Sequence, residues 1–228
     1  MEQLLLQYIL LKGLNVKTMK IYSYLVEHDY GLAPNPFGKY CTLVVCKPKI
    51  RKSRNLKLGD WIIGTGSKAL EHISSKKLVH HLIYAMQVCE IIPMDDYWND
   101  QRFQYKKPVI NGPLVAMYGD NFYHKDKSGK WIQEDSAHSS IYGAPNEEHV
   151  QIDVGGENAL IGELFYYFGD SAPLIPESIR KICHSGIGEK ILAEDEGCEF
   201  LQWLTAQFSP GINGDPNNWI EYQQKKIF

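Results

Sequence analysis

Ile21-Tyr22-Ser23-Tyr24-Leu25-Val26, the loop His28-Asp29-Tyr30-Gly31-Leu32-Ala33-Pro34-Asn35-Pro36-Phe37-Gly38, and Cys41-Thr42-Leu43-Val44-Val45-Cys46 together decide how the fold is read. The two flanking runs are rich in β-branched and aromatic residues and are bounded by turn formers, so both are predicted strands. The loop between them carries an ionisable pair, an amide and two aromatic rings on a backbone stiffened by Pro34 and Pro36 and freed by Gly31 and Gly38. Loops held by a rigid sheet collect binding and catalytic groups, although Asn, Pro and Gly are also ordinary turn residues.

Further along, Leu58-Gly59-Asp60 forms a turn into a third predicted strand, Trp61-Ile62-Ile63-Gly64. The segment Gly64-Thr65-Gly66-Ser67-Lys68 then leaves that strand without the final Gly-Lys-Ser/Thr order of a phosphate-binding P-loop. It reads either as a turn with an anion-friendly backbone or as a polar pocket wall built from Thr65, Ser67 and Lys68. From Ile83 to Ile92 the apolar alternation predicts one long strand stopped by Pro93. Asp95 or Asp96 is then expected to N-cap a helix carrying Tyr97, Trp98 and Phe103 that ends before Pro108.

The middle of the chain, from Tyr118 to Ser139, alternates Gly, Asp, Asn and Ser with aromatics and suits a lid or substrate-facing platform better than a core. Leu164–Gly169 reads as a helix end or a strand closing on glycine. Helices are predicted from Pro176 and over Glu194–Phe208, where Phe200, Leu201, Leu204 and Phe208 recur at helical spacing. The simplest architecture is a single α+β domain over residues 19–228 with helices gathered toward the C-terminus. Residues 1–18 are expected to be a dispensable extension, since Met19-Lys20-Ile21-Tyr22 looks like a natural start. Their apolar run is short and lacks both a basic lead and a small-residue cleavage site, which argues against a signal peptide or membrane span and for a cytoplasmic protein.

The 228 residues are 44% apolar and 22% charged, with a net charge of −3, which excludes phosphate binding by the whole surface but not by a local stripe. Such a stripe runs Lys47-Pro48-Lys49-Ile50-Arg51-Lys52-Ser53-Arg54. It reads as a solvated connection or, in the sharper alternative, as a nucleic-acid contact in which Lys47, Lys49 and Arg51, with Lys68, meet phosphates. The five cysteines are odd in number and lie mostly inside apolar runs, so they read as reduced core residues; without a C-x-x-C pair a structural zinc site has little support.

Candidate chemistry rests on polar groups beside aromatics: His28, Asp29, Asn35, Asp120, Asn121, His138, Ser139, Asp153 and His184. An Asp with a His supplies a general base and an orienting partner. Neither a G-x-S-x-G elbow nor an H-E-x-x-H motif is present, and Cys183-His184 are neighbours with no supporting context. The aromatic load is heavy, with 14 Tyr, 8 Phe and 5 Trp. Aromatic faces in polar loops suit a nucleobase, stacked on a ring while Asn and Asp side chains read its edge. Tyr24, Tyr30, Phe37, Trp61 and Tyr123 are candidates for that stacking.

The stretches His28–Gly31, Ala33–Gly38, Cys41–Leu43, Cys46–Arg51 and Gly59–Ser67 resemble the nucleotide modification associated domain family of the second numbered type. Tyr118–Asn121, His138-Ser139 and Phe165–Gly169 continue the likeness, which spans about Met19 to Pro176. The resemblance implies an α+β domain from bacterial or phage systems that install, process or sense modified DNA bases, and it implies no particular reaction. The Gly59-Asp60 turn, the strand after it and the aromatic helix are also similar to the PUA-like group with its EVE and ASCH domains. That similarity implies a mixed β-barrel or strongly curved sheet with an aromatic base pocket.

Two readings follow, both with DNA or a nucleotide carrying a modified base as partner and with no membrane. In the first the chain is a recognition or processing module, its substrate shaped by Tyr30, Asn35, Phe37, Trp61, Thr65, Ser67, Asn121 and His138. In the second it is an enzyme on the modified base, a glycosylase or group transferase in which Asp29 or Asp120 activates water and His28 is the proton partner. A structural partner in a defence complex is a third. The residues specify no cofactor and no metal ligand set.

Overall fold

The computed structural model describes residues 19–222, so the expected extension over residues 1–18 lies outside the described residues. In chain order the strands are β1 (Ile21–Val26), β2 (Cys41–Leu43), β3 (Trp61–Gly66), β4 (Leu82–Gln87), β5 (Glu90–Pro93) and β6 (Tyr123–Lys125). They continue with β7 (Trp131–Gln133), β8 (Asn158–Gly162), β9 (Phe165–Tyr167), β10 (Glu189–Ile191) and β11 (Gly211–Ile212). The α+β class is as the sequence implies. Among the described residues no helix is long and apolar enough to cross a membrane.

The chain divides into two compact units, one formed by residues up to Asp29, Lys57–Val88 and from Leu164 onward, the other by Tyr30–Leu56 and Cys89–Glu163. The first unit holds a six-stranded mixed sheet in the order β10-β1-β3-β4-β9-β11. This sheet has β10 and β11 as its edges and does not close into a barrel, which leaves the sheet form of the expectation. β1 runs parallel to β3, with Ile21 opposite Trp61, and parallel neighbours require a long crossover connection. β3 and β4 are buried along their whole length, which is why they read as near-continuous apolar runs. Ile21, Trp61, Ile63 and Ala85 share their core with Phe200, Leu201 and Leu204, the apolar face of the predicted helix, observed over Glu194–Gln207. The predicted helix after Pro176 is a 3-10 turn, Glu177–Ile182.

The Gly59-Asp60 turn has a clear physical basis. Both Lys20 and Lys57 donate backbone N–H groups to the Asp60 carboxylate at 2.9 Å, and Val88 donates to the Asp60 carbonyl at 2.8 Å. The turn therefore fixes where β3 begins.

In the second unit, β2-β8-β5 form an antiparallel sheet and β6-β7 a hairpin. The single strand expected over Ile83–Ile92 is two, because the hydrogen-bonding partner changes between Val88 and Cys89; the Cys89 N–H donates to Ile161 in the second unit's ladder. The helix after Pro93, Met94–Asn99, starts without a side-chain cap, since the Asp95 carboxylate accepts from the Lys125 N–H at 2.7 Å instead. The run Cys41–Cys46 is strand only to Leu43, because the Cys46 N–H donates to the Asp153 carboxylate and not to a ladder.

Close packing in the first unit leaves no room at Gly66, where an added Cβ meets the Leu78 carbonyl oxygen at 2.1 Å. Gly66→Ala is expected to lower the urea unfolding free energy by about 2–3 kcal/mol through overpacking against rigid backbone. An unchanged denaturation midpoint would show that the strand gives way at no cost.

Candidate functional site

The loop that opens the sequence reading is divided between the units at Asp29 and Tyr30. In the first unit His28 is exposed and Asp29 is buried. One Asp29 oxygen accepts from the Tyr167 hydroxyl; the other accepts from the Asn217 N–H at 3.0 Å and its Nδ2 at 2.9 Å. The Asp29 N–H donates to Asn218 Oδ1 at 2.7 Å. Asp29 thus ties β9 to the C-terminal 3-10 turn Asn217–Tyr222. Trp61 lies in the core beside Tyr166, the Thr65 hydroxyl donates to the Tyr24 carbonyl, and Ser67 Oγ caps the helix Lys68–Ser74 by accepting from the Leu70 N–H. Lys68 is exposed.

In the second unit Asn35, Asp120 and Asn121 come together in a buried polar network. Asp120 accepts from the Thr42 hydroxyl at 2.6 Å and the Tyr97 hydroxyl at 2.8 Å, and burial pushes its carboxyl above the usual range. Lys106 is fully enclosed and donates to Asn35 Oδ1 at 2.7 Å and to its carbonyl at 3.0 Å. Burial lowers its ammonium pKa to about 8, against the opposing charge of Asp120. Asn35 Nδ2 donates to the Tyr118 carbonyl, and Asn121 Nδ2 to those of Tyr97 and Phe103. Tyr30, half-buried, stacks on Tyr118 with centroids 4.9 Å apart, and Phe37 is half-buried beside the network.

A different cluster in the same unit has the geometry of a reaction centre. Asp153 is 1% exposed. Its Oδ1 accepts from the Cys46 N–H at 2.6 Å, and its Oδ2 from the Tyr123 hydroxyl at 3.0 Å and His138 Nδ1 at 2.7 Å. With Nδ1 held there, His138 Nε2 faces Cys46 Sγ at 4.0 Å. Gln133 secures the arrangement by donating to the Tyr123 hydroxyl at 2.8 Å and to the His138 carbonyl at 3.3 Å. The His138 ring lies edge-on to His149 (4.6 Å, 73°) and Phe122 (5.7 Å, 73°). Both Cys46 and His138 are partly exposed, so solvent reaches the pair.

Cys46 and Lys47 are consecutive non-glycine residues in the left-handed region, with φ of 57° and 42°. Each such residue costs about 1–3 kcal/mol, and the cost persists only where surrounding bonds hold it. Here they do: Arg51 Nε donates to the Cys46 carbonyl at 2.7 Å while Asp153 holds its N–H. Arg51, expected to meet phosphates, is buried and directs its guanidinium to the Cys46, Asp153 and Asn158 carbonyls. Lys49 is exposed, as the phosphate reading requires.

A thiol, an imidazole and a carboxylate in series are the layout of an activated nucleophile with an oriented base. The sequence placed His138 among the substrate-binding groups, Asp153 among the polar candidates and Cys46 in the core. Their order Cys, His, Asp along the chain is the one signal available, and it is weak without a local motif. Among the described residues no group of three or more His, Cys, Asp or Glu is arranged to hold a metal.

The family model for nucleotide modification associated domain 2 matches residues 18–223, a span that includes all three residues of the cluster. No curated protein and no solved structure gives a significant match.

Burial acts first to lower the His138 pKa, but the hydrogen bonds to Asp153 and Cys46, together with the charges of both, outweigh it and raise the value to about 10. A folded value above the ordinary 6.5 means that the protonated ring stabilises the fold fully below pH 6.5 and progressively less as pH rises to about 10. The urea midpoint is expected to fall across that window, and the fall to shrink in His138→Gln. An NMR titration of the ring with a midpoint near 6.5 would remove the basis for this coupling.

Proposed function

Because the chain belongs to the nucleotide modification associated domain 2 family, we propose that it is an enzyme that processes a nucleotide or DNA base carrying a modification, with Cys46 as its nucleophile. In this reading His138 carries the proton and Asp153 holds the ring. The observation that carries the reading is the series Sγ to Nε2 at 4.0 Å and Nδ1 to carboxylate at 2.7 Å. A module that only recognises a base needs stacking faces and edge-reading amides, but not a strained thiol set against an oriented imidazole. The glycosylase form of the enzyme reading draws less support, because Asp29 and Asp120 are buried with their oxygens hydrogen-bonded to protein groups.

The chain leaves Cys46 through Lys47 and the exposed Lys49 and Lys52, cations suited to the phosphates of a nucleotide or DNA strand. Tyr30 on Tyr118, with Phe37, offers aromatic faces suited to the base.

The test is incubation of the full chain with duplexes and free nucleotides carrying plain or hypermodified cytosine and thymine, followed by mass-spectrometric product analysis. Conversion of a modified substrate is expected, with a loss of about 10³-fold or more in Cys46→Ala. Lys49→Glu is expected to raise KM several-fold with kcat little changed, through lost phosphate attraction. Retention of modified DNA without conversion would instead make the protein a reader, and conversion indifferent to Cys46→Ala would move the chemistry elsewhere.

A further inference from the structure

We propose that the group attacked by Cys46 is an acyl carbonyl, so that the second unit is a thiol acyl-transfer centre whose substrates are nucleotides or bases bearing an amide- or ester-linked acyl group. This rests on the reading of Cys46 as the nucleophile and adds the bond that it breaks.

Several thiol chemistries fit a cysteine beside a histidine, and the surroundings narrow them. Disulfide exchange needs a second thiol in reach, whereas the polar groups set around Cys46 are His138, Asp153 and Arg51. Transfer of an alkyl group to sulfur ends in a stable thioether that water does not cleave, so a second proton-transfer step gives it nothing. Acyl transfer uses the same imidazole twice, once to protonate the departing atom and once to take a proton from water. His138 is built for repeated use: Asp153 fixes its Nδ1, Gln133 holds its carbonyl, and the side chain keeps 14% of its surface open to solvent. A ring that is protonated at neutral pH is the acid that an amine or alcohol leaving group requires.

The steps balance. The Cys46 thiolate adds to the carbonyl carbon and an S–C bond forms. The C–N or C–O bond to the nucleotide then breaks, and the departing atom takes the proton from His138 Nε2. Neutral His138 next accepts a proton from water as its oxygen attacks the thioester. The C–S bond breaks, the carboxylic acid leaves, and the thiolate and imidazolium are restored without net oxidation or reduction.

The experiment treats the full chain with p-nitrophenyl acetate and, separately, with N4-acetylcytidine monophosphate, followed by rapid quench and intact and peptide mass spectrometry. A burst of nitrophenol equal to the enzyme present is expected, with one acetyl group on the peptide containing Cys46 that hydroxylamine removes. His138→Gln is expected to slow the burst by about 10²-fold or more and to change its pH profile, a change that a merely structural role would not produce. The mapping on unaltered protein holds even where a variant folds poorly. Acetyl spread equally over Cys89, Cys183 and Cys198 overturns the inference, as does a permanent alkyl adduct on Cys46 from modified DNA. Acetylation of Cys46 without conversion of any modified nucleotide keeps the acyl-transfer inference and fails the proposed function. Conversion that depends on Cys46 with no acyl-enzyme does the reverse.

Discussion

The buried guanidinium of Arg51 is the interaction on which the second unit's Cys46–His138–Asp153 cluster depends. It donates to main-chain carbonyls of Cys46, Asp153 and Asn158, drawing together a turn, a helix end and the start of β8. Asn158 Nδ2 returns a bond to the Arg51 carbonyl at 3.1 Å. Burial lowers the guanidinium pKa to about 10, a cost that the Asp153 charge opposes. Without Arg51 each of those carbonyls loses a partner, at about 1–3 kcal/mol apiece where it stays buried. Gly156 is part of the same device, since a Cβ there meets Arg51 Cζ at 2.3 Å. Two members of the reactive series are therefore placed by backbone bonds to one side chain, and the third is placed by Asp153.

Three buried aspartates show how environment sets equally buried carboxylates apart. Asp29 is enclosed by Tyr167 and Asn217, and Asp120 by Thr42 and Tyr97 with Lys106 near. Asp153 is as buried as they are, yet one of its oxygens reaches an imidazole that keeps some contact with solvent. Burial makes the carboxylate a fixed anchor, and exposure of the ring lets the anchored group act on something outside. Of the three, only Asp153 joins both conditions.

Much of the fold was legible because its strands have short-range signatures. Ile21–Val26 and Trp61–Gly64 are β-branched and aromatic, and Phe200, Leu201 and Leu204 are spaced for one helical face. The break at Val88 was not legible, since Leu82–Ile92 is mostly apolar with no Gly or Pro, and only the change of hydrogen-bonding partner divides it. The Cys46–His138–Asp153 cluster was hidden for a related reason. His138 and Asp153 are 15 positions apart and Cys46 is 92 from His138, so no local motif joins them. Asp29 stood out in sequence because it lies next to a histidine, whereas its partners Asn217 and Tyr167 lie 188 and 138 positions away.

The basic run after Cys46 joins the two halves of this picture. Read as a string, Lys47 to Arg54 is a set of equivalent cations. Folding separates them, because the short helix Pro48–Arg51 turns Ile50 and Arg51 inward and leaves Lys49 and Lys52 outside. The inward cation holds the Cys46 carbonyl, and the outward ones keep their charge in solvent a few residues from the sulfur. One short segment thus holds the Cys46 backbone and carries exposed positive charge a few residues further on. In the proposed reading, an anionic substrate drawn to that charge meets a thiol whose backbone is already held. That economy argues for chemistry on a phosphate-bearing molecule more directly than any of the same residues does when read alone.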